Sequence, residues 1–136
     1  MNSKFAISVA VMFVVAMIFG FVVHGVILGQ DYLQLASLFR TQQDQAGYFP
    51  YMLLAHVFMA AGFVWIYVQG RTDKPWLGQG VRFGLAVVVL VTLPGYLIYY
   101  AVQPLPGMLV VKQIALDAVS YVVMGIAVAW LYRKPA

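Results

Sequence analysis

Cysteine and glutamate are both absent from this chain of 136 residues, and charged residues make up only 9% of it. Without cysteine there are no disulfides, thiolate metal sites, iron–sulfur clusters or cysteine nucleophiles. A membrane thiol oxidoreductase is excluded for the same reason. Without glutamate, the only side-chain carboxylates are four aspartates, and Asp117 alone falls inside a long apolar run. A soluble domain of this length carries about a quarter charged residues. Signatures of phosphate binding and hydrolysis are missing too. Gly78-Gln79-Gly80 follows no strand, and Ser120 belongs to no nucleophile motif.

What is present is mostly hydrocarbon. The chain is 64% hydrophobic, with a mean hydropathy of +0.91. A bilayer core needs about 20 apolar residues in a helix. Four segments qualify: Phe5 to Gly29, Tyr48 to Gln69, Val81 to Val102 and Met108 to Tyr132. The first is too long for a signal-peptide core and reads as a retained span. The expected fold is therefore an all-α membrane protein, a single four-helix transmembrane bundle with no second domain. An inverted-repeat transporter shows two similar halves. Here the halves differ in loop length and in the placement of polar residues.

The net charge of +4 does not point to nucleic acid, because the basic residues flank the spans. Lys4 precedes the first span. Arg71, Lys74 and Arg82 lie in or beside the loop joining spans two and three, and Arg133 and Lys134 follow span four. The opposite side carries Arg40, with Asp31 and Asp44 in the same loop. The positive-inside rule then predicts both termini and the 70–80 loop in the cytoplasm. Trp76, Trp130 and Tyr132 on one side, with Tyr48 and Phe49 on the other, suit the two interfaces.

The loop 30–47 is the longest non-spanning segment. Tyr32, Leu35, Ala36 and Phe39 share a helical face, and Asp31 is placed to act as an N-cap. A short amphipathic helix on the outer surface is expected there, with Thr41 to Gly47 irregular. Gln103-Pro104-Leu105-Pro106-Gly107 predicts a tight turn, since its prolines cannot continue a helix.

Polar residues inside the spans are the candidate site. At 1.5 Å rise per residue, His24 lies roughly 6–8 Å below the outer end of its span and His56 roughly 12 Å. Lys112 lies about 6 Å down and Asp117 about 14 Å. His24 shares a stripe with Ala16, Met17 and Gly20, and His56 with Ala60 and Phe63. Gln113, Asp117, Ser120, Tyr121 and Gly125 form one stripe on the fourth span. Lys112 is close enough to the surface for its ammonium to snorkel outward. Pro94 removes a helix donor, which predicts a kink and a free Leu90 carbonyl. Tyr96, with Tyr99 or Tyr100, then faces the same depth. All four spans are thus expected to contribute to one polar pocket in the outer leaflet. Gly25/Gly29 and Gly80/Gly84 have the spacing of close helix crossings.

This set admits several chemistries. His24 and His56 are candidate axial ligands for haem b, because adjacent antiparallel spans can bring two imidazoles face to face, although their depths differ by about one helical turn. With Asp117 they are candidate ligands for a divalent metal. A proton relay is less well supported, because the inner half has few polar span residues beyond Ser8 and Thr92. In the structural alternative the same residues hydrogen-bond between helices and bind nothing.

The runs Pro75-Trp76-Leu77-Gly78-Gln79-Gly80-Val81-Arg82-Phe83-Gly84 and Tyr96 to Gly107 resemble a group of small bacterial inner-membrane proteins with four spans and no assigned activity. Lys112-Gln113-Ile114, Val23-His24-Gly25 and Ala55-His56 extend the resemblance over most of the chain. It implies a fold and a location, and no residue roles carry over. The expectation is a non-catalytic accessory or assembly subunit, in contact with lipid and with other membrane subunits or its own copies. A protein binding haem, a metal or a lipophilic ligand is the alternative.

Overall fold

The structure, a computed structural model, describes residues 3–133; Lys134, used above for topology, lies outside them. The described residues are helical with short connections and contain no strand. Four helices are long and apolar enough to cross a membrane: Ser3–Ile27, Gln42–Gly70, Trp76–Val102 and Gly107–Leu131. Their ends fall within six residues of the expected spans. The chain divides into two units, one ending at Phe63 and one beginning at Val64.

The first unit opens with α1 (Ser3–Gly20), which continues into a π-helical turn, π1 (Phe21–Ile27). A π turn admits one extra residue and occurs often at functional positions. Its closing bond runs from Leu28 N–H to Val23 O, 2.9 Å, a reach of five residues. Helix α2 (Gly29–Leu33) follows, then turns to the start of α3 (Gln42–Gly70). Two expectations are corrected here. The short helix expected in the 30–47 loop covers only five residues, and Asp31 sits within it, the N-cap position being Leu28. Thr41 to Gly47 is not irregular, because α3 begins at Gln42. Thr41 supplies the reason. Its Oγ1 accepts from Asp44 N–H at 3.2 Å and its carbonyl from Gln45 N–H at 2.9 Å. This is N-capping, which satisfies donors that the first helical turn otherwise leaves open. Arg40 donates to Asp44 at 2.8 Å and lies 3.6 Å over the Tyr48 ring. That hydrogen bond, with the field of the carboxylate, pushes the Arg40 pKa up from its ordinary value.

The second unit is an antiparallel helical hairpin plus the end of α3. Its first arm is α4 (Trp76–Val87), a π turn π2 (Val88–Thr92) and α5 (Leu93–Val102); its second arm is α6 (Gly107–Leu131). The connection 103–106 is the tight turn expected from its prolines, with Leu105 N–H bonded to Gln103 O at 2.7 Å. The expected disturbance at Pro94 is displaced by one turn. Leu93 N–H bonds Val88 O, five residues back. The proline ring crowds the turn before it, and that turn widens.

Glycines set the packing of the hairpin. A Cβ at Gly80 would lie 2.6 Å from Gly125 O, and one at Gly84 would lie 2.6 Å from Tyr121 O and Val122 Cα. A Cβ at Gly125 would collide with Gly80 O. Any side chain at these positions drives backbone into backbone. Small residues let helices approach this closely where no hydrophobic force draws them together. The Gly80/Gly84 spacing is therefore used within the chain. A Cβ on Gly29 would meet nothing within 4 Å, and the atoms nearest to one on Gly25 belong to the Phe21 ring.

Candidate functional site

Within each unit the polar span residues have partners of their own. In the first unit, His24 occupies the middle of π1. Its Nδ1 shares a hydrogen bond with the Tyr32 hydroxyl, 2.7 Å, and the two rings stack at 6.0 Å. Tyr32 also meets Phe39 edge-on at 5.1 Å. The aromatic face expected in this segment is partly present, although helix covers only its start.

His56 is bound differently. Its Nδ1 lies 2.8 Å from Met52 O. A carbonyl only accepts, so Nδ1 carries the hydrogen and the neutral ring keeps its lone pair on Nε2. That Nε2 faces the α1 backbone, where a Cβ on Gly20 would approach to 3.3 Å. The space left by the small residue expected near the histidines is thus filled by His56 itself.

In the second unit, the Tyr96 hydroxyl donates to Asp117 Oδ2 at 2.6 Å. A short bond of this kind satisfies a carboxylate within an apolar helix pair. Gln113 and Ser120 are buried, with Asp117 between them and Tyr121 beside them half-buried. Ser120 Oγ donates to Leu116 O at 2.9 Å, back along its own helix. Ser8 does the same to Lys4 O at 2.8 Å. Tyr99, Tyr100 and Lys112 are exposed. The Tyr100 hydroxyl lies over Gly107, 3.3 Å from where a Cβ would stand. Among the described residues, no three His, Asp or Glu side chains come together as metal ligands.

Reading the cations as topology markers overlooked another concave region. At the 71–75 loop of the second unit is a cavity of about 320 Å³. Arg71, Lys74 and Arg82 line it, with Tyr67, Phe83 and Gln79. The Tyr67 and Phe83 rings meet edge-on at 5.3 Å. Gln79 holds the loop through three bonds. Its Oε1 accepts from Thr72 N–H at 2.8 Å, and its Nε2 donates to Thr72 O at 2.8 Å and Lys74 O at 2.7 Å. A sequence signal existed: three cations within twelve positions, with a glutamine among them.

Together these elements define a helical protein with four candidate membrane spans, polar span residues paired locally, and a basic cavity at a helix connection. No family model, no curated protein and no solved structure matches the chain.

Proposed function

We propose that the chain is a non-catalytic integral membrane protein, an accessory or assembly subunit of a larger bacterial inner-membrane complex, with both termini cytoplasmic. The observation that carries this reading is the use made of the polar span residues. His56 is bound to its own helix and packed on Gly20. His24 is tied to Tyr32, and Asp117 to Tyr96. Local pairing of this kind is how polar groups are satisfied within apolar helices that serve packing.

The exposed faces support a partner made of membrane helices. Ile7, Val11, Val14, Ile18 and Phe21 are exposed and alternate by four and three residues. That is the seam spacing of left-handed helix pairs. Tyr51, Phe58 and Trp65 recur every seven residues on α3 and are also exposed.

Because the chain has no cysteine, a single Val14→Cys variant gives a unique crosslinking point. In native membranes it should crosslink to one defined membrane subunit, whereas buried Met12→Cys should not. A monodisperse protein with no crosslink from the Ile7–Phe21 seam would overturn the accessory role. A Soret band lost in both His24→Ala and His56→Ala would replace it with haem binding.

A further inference from the structure

We infer that the cavity at the 71–75 loop binds the phosphodiester headgroup of an anionic phospholipid. Three observations lead there. The first is charge. Arg71, Lys74 and Arg82 line one cavity, and all three are exposed enough to reach a ligand. Asp73 is the only acidic residue between Asp44 and Asp117, and it does not line the cavity.

The second is preorganisation. Gln79 bonds both the N–H and the carbonyl of Thr72 and the carbonyl of Lys74. The loop is thereby held in shape before any ligand arrives, which lowers the ordering cost of binding. The Arg71 guanidinium donates to Tyr132 O at 3.4 Å and lies 5.1 Å from that ring's centroid. One weak bond positions it and leaves most of its five donors for an anion. The Arg82 guanidinium lies along Gly78, 3.8 Å from where a Cβ would be.

The third is the wall. Tyr67, Phe83 and Ile66 give the cavity an apolar side. An inorganic phosphate has no use for that side, while a lipid's glycerol and first methylenes do. The volume is near the lower end of ligand pockets, about 300 Å³, which suits a headgroup. The loop joins two candidate spans, so it stands at a membrane boundary where lipid phosphates are concentrated. Basic pockets between transmembrane helices take anionic headgroups by this combination of charge and depth.

The inference rests on the chain being embedded in a bilayer, but not on its having a partner subunit. Resistance of the chain to alkaline extraction from membranes is therefore measured first. A chain that is extracted fails both proposals, and one that is retained leaves this one to its own test. The purified full chain is then placed in nanodiscs of phosphatidylcholine with a minor fraction of phosphatidylglycerol, and co-retained lipid is counted by mass spectrometry. Phosphatidylglycerol should be enriched over its bulk fraction. The combined variant Arg71→Gln, Lys74→Gln, Arg82→Gln should lose about tenfold or more of that preference. Lys74→Gln alone, on an exposed loop where folding is not at stake, should lose part of it, and Arg133→Gln none. Millimolar inorganic phosphate or glycerol phosphate should not compete. Equal retention of the two lipids, a preference unchanged in the Lys74 and combined variants, or full competition by free phosphate would each overturn the assignment.

Discussion

The two units hold their helices together by different means. In the second unit, α4 and α6 meet backbone to backbone through Gly80, Gly84 and Gly125. In the first unit, the contact between α1 and α3 at Gly20 is made by the end of an imidazole, with the Cβ position still 3.3 Å away. A backbone crossing cannot yield, because every atom in it belongs to a hydrogen-bonded helix. A side-chain contact can yield by a small rotation. The same residue type, glycine, therefore tolerates a side chain to very different degrees in the two units.

Gly84→Ala should produce the largest effect, a loss of about 1–3 kcal/mol or more from overpacking. Thermal unfolding in detergent measures it, and a neutral result would mean the α4–α6 crossing is looser than described. Tyr96→Phe should come next, at about 1 kcal/mol, because it removes a donor from a carboxylate between helices. Tyr96→Phe with Asp117→Asn as a double-mutant cycle isolates that coupling. Thr41→Ala should cost about 0.5–1 kcal/mol through loss of the α3 cap. Faster amide exchange at Asp44 and Gln45 is its local readout. Gly20→Ala should be the smallest of the four, with a net change under about 1 kcal/mol, since a gain in helix propensity offsets the push on His56. If Gly20→Ala matched Gly84→Ala, the distinction between the units would fail.

The helices were legible in the sequence because they follow from hydrocarbon length, and the turn at 103–106 because proline acts locally. The segment 30–47 was harder to read. Thr41 caps α3 through a side-chain bond that competes with the irregular reading of a polar stretch. The π turn before Pro94 was also missed; a proline predicts a disturbance, but neighbouring packing chooses which turn absorbs it. For the candidate site, residue types and approximate depth were readable. Pairing was not, since Tyr96 meeting Asp117 depends on how α5 lies against α6.

By itself, the sequence determined that no cysteine or glutamate chemistry operates here and that four helices are long and apolar enough to span a membrane. Those properties are additive along the chain. Only the tertiary structure decided that Gly80 and Gly84 are spent on α6, that His56 Nε2 is turned to Gly20, and that Arg71, Lys74 and Arg82 share a cavity. Each of these needs residues distant in the chain, or on successive elements, to arrive at one place, and no local pattern encodes that distance.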